Sequence, residues 1–213
     1  MRITEIFHSI QGESSYAGQP CVFVRTTGCN LRCVWCDTEY AFYGGRDMSV
    51  DEILSEVDRI GRNCRLVELT GGEPLLQHEI GELAERLLES GYTVLCETSG
   101  SLPVDRVPAD VVKIVDLKPP GSGEAASNDW GNLALLNPRQ DELKCVISGR
   151  EDYEWAARQV RERDLARFVV HLSPEFESQD PRELAEWVLS DSLPVRVQLQ
   201  VHKFIWEPSA RGV

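Results

Sequence analysis

Gly28-Cys29-Asn30-Leu31-Arg32-Cys33-Val34-Trp35-Cys36-Asp37-Thr38 sets three cysteines within eight residues, spaced C-x3-C-x2-C. Three thiolates on one loop can converge on one inorganic centre. A structural zinc site closes with four ligands in a tetrahedron, and no second C-x2-C stands elsewhere in the chain. Three cysteines suit a 4Fe–4S cluster that leaves one iron without a protein ligand, because such clusters are held by thiolates in short spacings. The competing readings are three buried small hydrophobes, zinc with a distant fourth ligand such as Cys21 or His8, or a disulfide between Cys33 and Cys36. Polar Asn30, Arg32 and Asp37 interleave the cysteines and argue against the first. A disulfide leaves Cys29 unexplained.

Downstream, residues 66–69 read as a short buried strand running directly into Thr70-Gly71-Gly72-Glu73-Pro74. Two glycines let backbone approach a ligand and expose N–H groups to it. The Glu73 carboxylate can accept hydrogen bonds from an ammonium. Pro74 suits the first turn of a following helix, where its missing N–H costs nothing. Alone, the stretch equally fits a tight strand-to-helix turn. Together with the cysteine triad it resembles the radical S-adenosylmethionine (SAM) superfamily. The resemblance implies that Cys29, Cys33 and Cys36 hold the cluster, that SAM chelates the open iron, and that the Gly-Gly-Glu turn receives the methionine amino group.

Bulk properties bound the rest. A chain of 213 residues suits one domain, residues 1–213, with a substantial core. Hydrophobic content of 42% and charged content of 27% are ordinary for a globular protein. No run of eighteen apolar residues exists, so no transmembrane helix and no membrane partner are expected. The opening MRITEIFHSIQGE lacks a signal peptide's apolar stretch, which points to the cytoplasm, where thiols stay reduced. Cys21, Cys64, Cys96 and Cys145 are scattered in mostly apolar stretches and read as core residues. A net charge of −13 with no Lys/Arg-rich run excludes nucleic acid as the expected partner. The substrate is therefore expected to be a small molecule.

Strands are expected at 3–9, 21–26, 66–70, 93–97, 111–116, 142–147, 168–172 and 195–201, and helices at 49–61, 76–90, 151–162 and 181–190. Ser49 with Glu52 three residues on is a capping box, and Gly91 suits a helix C-cap. This rhythm gives βα units and a parallel sheet. Too few helices exist for a full eight-fold barrel, so the expected fold class is α/β, a partial, open β/α barrel of the radical SAM type. Chemistry in such barrels collects at the strand C-terminal ends, where both motifs fall. Residues 118–130 (KPPGSGEAASNDW) read as a mobile surface loop or lid.

The stretch IQGESSYAGQPCVFVRTTGCNLRCVWCDTEYAF is more specific. With Thr70 to Pro74, Asp116-Leu117-Lys118-Pro119 and His202-Lys203, it resembles the 7-carboxy-7-deazaguanine synthase family across residues 6–208. The resemblance implies SAM-dependent radical contraction of 6-carboxy-5,6,7,8-tetrahydropterin, with loss of ammonia. It further implies a Mg²⁺ ion, an external electron donor such as flavodoxin or ferredoxin, and a homodimer. By resemblance Gln11, Gly12, Glu13, Arg25, Thr70 and Pro208 contact substrate, and Trp35, Cys36, Asp37, Gly72, Glu73, Asp116, Leu117 and Lys118 contact SAM. The same resemblance implies Thr38 as the Mg²⁺ ligand, a role compatible with an ion that takes few protein ligands and keeps waters or substrate oxygens.

The residue types suit these roles, with plainer readings beside them. Glu13 can accept two hydrogen bonds from an aminopyrimidine edge, a charge-assisted pair; otherwise it is a solvated loop carboxylate. Arg25 can grip a carboxylate bidentately, or serve as a surface or ion-paired arginine. Thr38 also reads as a turn cap, Trp35 as packing and Lys118 as a solvated loop lysine. Thr98 or Ser99 can face the site. His202 stays unassigned. The family's chains commonly stop at the proline matching Pro208, whereas Ser209 to Val213 follow it here. Pro208 then contacts substrate through other atoms, or Glu207 substitutes, or the tail folds away. Ser14-Ser15 stands where glycine is usual, with little consequence expected. The alternatives in function are a glycyl-radical activating enzyme of the same superfamily, against which Gln11-Gly12-Glu13 argues, and a non-catalytic metal-binding module.

Overall fold

The computed structural model describes residues 1–176 and 178–213. An antiparallel pair comes first, β1 (Arg2–Ile10) with β2 (Pro20–Thr26), and β3 (Arg46–Asp47) adds to the outer side of β1. From β2 onward the sheet is parallel. It runs through β4 (Leu66–Gly71), β5 (Thr93–Thr98), β6 (Val112–Asp116), β7 (Glu142–Ile147), β8 (Val169–Pro174) and β9 (Arg196–Val197). The strand order is β3-β1-β2-β4-β5-β6-β7-β8-β9, with β3 and β9 at unjoined edges. The fold is therefore α/β with an open sheet, as the sequence implies.

Helices α1 (Val50–Gly61), α2 (Ile80–Glu89), α3 (Arg150–Glu162) and α4 (Pro181–Ser190) cover one face, and a short α5 (His202–Ile205) follows β9. In α1 the buried residues Val50, Ile53 and Val57 recur at three- and four-residue spacing, a stripe facing the sheet. Its capping box forms: Ser49 Oγ accepts from Glu52 N at 3.3 Å, and Ser49 N donates to the Glu52 carboxylate at 2.7 Å. Such a cap is worth about 1 kcal/mol. Gly91 follows α2 at φ +80°, as a C-terminal glycine should.

Strand alternation sorts the two faces. Val22, Val24, Val67, Leu69, Val94 and Cys96 point to the helices and join the main core. Cys21, Phe23, Leu66, Leu95, Val112 and Ile114 point the other way and form a second apolar cluster inside the open barrel, where Phe7 stacks on Phe23 at 4.9 Å between ring centroids. Further along the same inward rows the residues become polar: Arg25, Glu68 and Thr70, Glu97, Asp116, Lys144. The barrel interior thus has an apolar base and a charged upper layer, which places the site.

Three expectations change. Helix 76–90 begins only at Ile80, because Pro74–Leu76 form a 3-10 turn and Gln77 is extended at ψ 128°. Strand 195–201 shrinks to Arg196–Val197; Gln198 N still donates to Leu172 O at 3.0 Å, while the side-chain amides of Gln198 and Gln200 reach across to Ser14 and Glu13. Residues 118–130 are not a lid. Asn128 accepts from Lys118 N at 2.9 Å and donates to Lys118 O at 2.8 Å, and Asp152 accepts from Gly121 N at 2.8 Å. Trp130, Leu133 and Leu136 pack on the main core there, and no α-helix lies between β6 and β7. That segment does a helix's work of covering the sheet.

Candidate active site

A cavity of about 430 Å³ opens at the C-terminal ends of the parallel strands, a volume suited to a small ligand. The cysteine loop after β2 forms one wall. Cys29, Cys33 and Cys36 all line the cavity, half-buried and in no disulfide. Burial raises the thiols of Cys29 and Cys33; the Lys118 ammonium pulls both the other way, and at Cys29 the Leu31 N–H does so more strongly. Among the described residues no group of three or more His, Cys, Asp or Glu converges tightly enough for a single metal ion. Thiolates that each bind a different iron need no common point, so this donor set fits a 4Fe–4S cluster.

The Gly71-Gly72 turn backs directly onto that loop. Glu73 N donates to Gly28 O at 2.8 Å, and a Cβ on Gly72 would lie 2.7 Å from Cys29 Cβ. Gly72 lines the cavity, but Glu73 does not. Its carboxylate is fully buried and accepts four hydrogen bonds, from Leu75 N, Thr98 Oγ1, Ser99 N and Ser99 Oγ at 2.6–3.0 Å. Four donors fill a carboxylate's acceptor sites. Glu73 thus fixes the turn from behind, tying β4 to β5, while Thr98 and Ser99 both reach the wall.

Past β6, Asp116 and Lys118 line the cavity, their side chains paired at 2.7 Å, and Asp116 Oδ1 is buried without a hydrogen-bond partner. Burial works against the Lys118 ammonium, yet Asp116 and Cys33 hold it above the ordinary lysine value. Leu117, between them, turns its side chain into the main core and offers only backbone. Trp35, Asp37 and Thr38 line the opening; Asp37 pairs with Lys203 at 3.0 Å, and Thr38 Oγ1 sits 3.8 Å from Cys36 Sγ.

The floor is the β1–β2 loop, which crosses the inner face from β4 to β7. Gln11 is 4% exposed; its amide donates to Glu68 and its oxygen accepts from Glu13 N at 3.0 Å. Further on, Ser15 N donates to Glu142 at 3.0 Å, Glu142 meets His171 Nε2 at 2.6 Å, and Ser14 N donates to Gln198 at 2.7 Å. Ser14 adopts φ +61°, which accounts for a position that favours glycine. Gly12 O accepts from Val201 N at 3.0 Å, and a Cβ on Gly12 would meet the His202 ring, with Cγ at 2.9 Å. His202 therefore lies on the floor, its imidazole pushed down by burial against the pull of Glu13.

Glu13 ion-pairs with Lys144 and accepts from Gln200 at 2.6 Å; apart from the ion pair its Oε2 has no donor among the described residues. Burial acts to raise the Glu13 carboxyl, but Lys144 and Gln200 hold it below the ordinary value. Glu68 is the reverse: burial, then Glu97 and Glu13, push it well up. Arg25 Nε donates to Glu5 at 2.8 Å, and its guanidinium lies 5.8 Å from the Tyr40 ring centroid. The tail does not fold away: Pro208 to Val213 line the cavity, with Arg211 4.0 Å over Tyr40, whereas Glu207 does not reach it.

One cavity thus gathers the expected residues except Glu73 and Leu117. Lys144, Glu68, Gln200 and Arg211 were not singled out from sequence. Charged residues at alternate positions of the buried strands LVELTG and ELKCVI were the available signal for Glu68 and Lys144.

Residues 23–188 match the profile of the Radical SAM superfamily, so the chain belongs to that superfamily. It is 54% identical to the 7-carboxy-7-deazaguanine synthase of Koribacter versatilis over the full length of both chains. It is 48% identical to that of Chlorobaculum tepidum, over all of this chain and 97% of the other. Within the superfamily the chain is therefore a member of the 7-carboxy-7-deazaguanine synthase family. The crystal structure of QueE from Escherichia coli shares the fold, with a TM-score of 0.75 at 24% identity and 94% of each chain covered. No helix among the described residues is long and apolar enough to cross a membrane.

Proposed function

We propose that residues 1–213 act as one domain that contracts 6-carboxy-5,6,7,8-tetrahydropterin to 7-carboxy-7-deazaguanine with loss of ammonia. The observation that carries this reading is the presence, on one cavity, of three thiols and the Gln11-Gly12-Glu13 floor. When bound, the cluster and SAM would supply one-electron chemistry ending in hydrogen-atom abstraction; the protein binds, orients and shields.

Cys29, Cys33 and Cys36 hold the cluster. Gly72 brings backbone close to SAM, Glu73 fixes that turn, and Asp116, Lys118, Trp35 and Asp37 surround the nucleotide. Leu117 contributes through its backbone. Asp116 Oδ1, buried and lacking a donor, is an acceptor available to SAM. On the substrate side, Arg25 keeps its two terminal nitrogens for the pterin carboxylate, because only Nε is spent on Glu5. Glu13 accepts from the aminopyrimidine edge and Gln11 sets its backbone. Thr70 and Pro208 close the sides. Thr38, on the cavity wall, would offer its hydroxyl to a Mg²⁺ ion, which takes few protein ligands and would neutralise charge on the substrate.

The chain works as a cytoplasmic homodimer reduced by a flavodoxin or ferredoxin, which light scattering and donor-coupled turnover assays check. The deciding experiment is anaerobic incubation of the reconstituted, reduced enzyme with SAM and the carboxylated pterin, followed by mass spectrometry. Absence of a deazapurine from protein with an intact cluster rejects the reading.

A further inference from the structure

The cavity floor carries an excess of acid. Glu13 from the β1–β2 loop, Glu68 from β4 and Glu97 from β5 all face inward around the Lys144 ammonium of β7. Lys144 Nζ pairs with Glu13 Oε2 and, at 2.8 Å, with Glu97 Oε1; the Lys144 side chain is 7% exposed and that of Glu13 11%. The remaining groups facing Glu13 are His202, Gln200 and Gln11, with Asp116 of β6 close to Lys144.

A carboxylate accepts two parallel hydrogen bonds, whereas a carboxylic acid offers one donor and one acceptor. A floor that must receive two adjacent N–H donors therefore depends on the charge state of Glu13. We propose that Lys144 is a positioning residue that holds Glu13 as an aimed carboxylate, and so makes the pocket select heterocycles with two neighbouring N–H donors. This rests on the assignment of Glu13 to the aminopyrimidine edge.

The surroundings explain why one lysine matters. Burial on its own would lower the Lys144 ammonium, yet Glu13, Glu97 and Asp116 hold it well above the ordinary lysine value, so it stays charged throughout the working range. With Lys144 removed, burial acts to raise the Glu13 carboxyl with only Gln200 and His202 opposing. The Glu13 pKa then rises, and binding that needs the carboxylate fades as pH falls through the raised value. Below that value each pH unit removes a further tenfold.

The test is fluorescence titration of the cluster- and SAM-loaded enzyme with 6-carboxypterin, an oxidised analogue that cannot be turned over, from pH 5.5 to 8. Wild type and Lys144→Met are compared, each also in a His202→Asn background, as a ratio of dissociation constants; the ratio removes the ligand's own titration, and the background removes that of His202, which Lys144 itself shifts. The expected ratio grows about tenfold or more from pH 8 to pH 5.5, while Lys144→Arg keeps it flat. In turnover, Lys144→Met raises KM far more than it lowers kcat. A ratio independent of pH overturns the proposal, whether it stays at one or shows a uniform loss, since a merely structural lysine gives the latter. If Lys144→Met does not fold, Lys144→Met/Glu97→Gln removes one charge of each sign and carries the same comparison. Wild-type protein that binds 6-carboxypterin yet makes no deazapurine rejects the proposed reaction without touching the Lys144 result.

Discussion

Replacing Gly72 by alanine tests whether the cysteine loop and the Gly-Gly-Glu turn form one unit. The added Cβ would lie 2.7 Å from both Cys29 Cβ and the Gly28 carbonyl carbon, and closer to the Gly28 oxygen, where ordinary contact begins at 3.4 Å. The shortfall, 3.4 less 2.7 at the carbonyl carbon, is at least ~0.7 Å against backbone, which cannot rotate aside. A displacement of that size stretches the 2.8 Å bond from Glu73 N to Gly28 O to the edge of hydrogen bonding. Overpacking costs about 1–3 kcal/mol, and the weakened bond adds roughly 0.5–1 kcal/mol. Together they come to about 2–4 kcal/mol. At ~2–4 °C per kcal/mol for a chain of this size, melting should fall by roughly 5–15 °C. Anaerobic thermal melts beside iron and sulfide analysis provide the assay. Iron per chain should fall with the melting temperature, because the same shift moves Cys29. Wild-type melting with full iron content would refute the coupling.

Cys33→Ala should abolish cluster uptake and SAM cleavage while the chain stays folded; residual iron at the wild-type level in elemental analysis argues against its role. Arg25→Ala should raise KM for the pterin with little change in kcat, the pattern of lost ground-state binding, and an unchanged KM rejects the assignment. Glu13→Gln should spare the cluster and weaken pterin binding, read by titration with 6-carboxypterin; unaltered affinity counts against it. Burial acts to raise Glu142, but His171 and Ser15 hold its carboxyl below the ordinary value. A depressed folded-state pKa gives stability that is present above the unfolded value and lost as pH falls through the folded one. Glu142→Gln should therefore flatten the acid side of the melting-temperature profile, and an unchanged acid limb would contradict the pairing.

What could be read from residues alone was whatever is encoded locally. The cysteine spacing, the Gly-Gly-Glu turn, the Ser49 cap and the buried strands are short-range patterns, and they appear where expected. The β9 region differs because its alternating residues do not show that Gln198 and Gln200 bond the Ser14 backbone and the Glu13 carboxylate about 185 positions earlier. The 118–130 segment was misread because composition reports solubility but not the hydrogen bonds of Asn128 and Asp152. Glu73 looked like a ligand group since a carboxylate beside two glycines has that chemistry. Only the fold reveals four donors already aimed at it. The Glu13–Lys144 pair joins residues whose connection no local pattern announces.

The floor has a temporal consequence as well. It is stitched from opposite ends of the sequence: Gly12 to Val201, Ser14 to Gln198, Ser15 to Glu142. A ribosome adding roughly 5–20 residues per second delivers the cysteine loop early and these partners seconds later. A nascent chain can therefore present its thiols to iron delivery well before any heterocycle has a surface to rest on. The floor, and with it any place for the heterocycle, waits on the last of the strands.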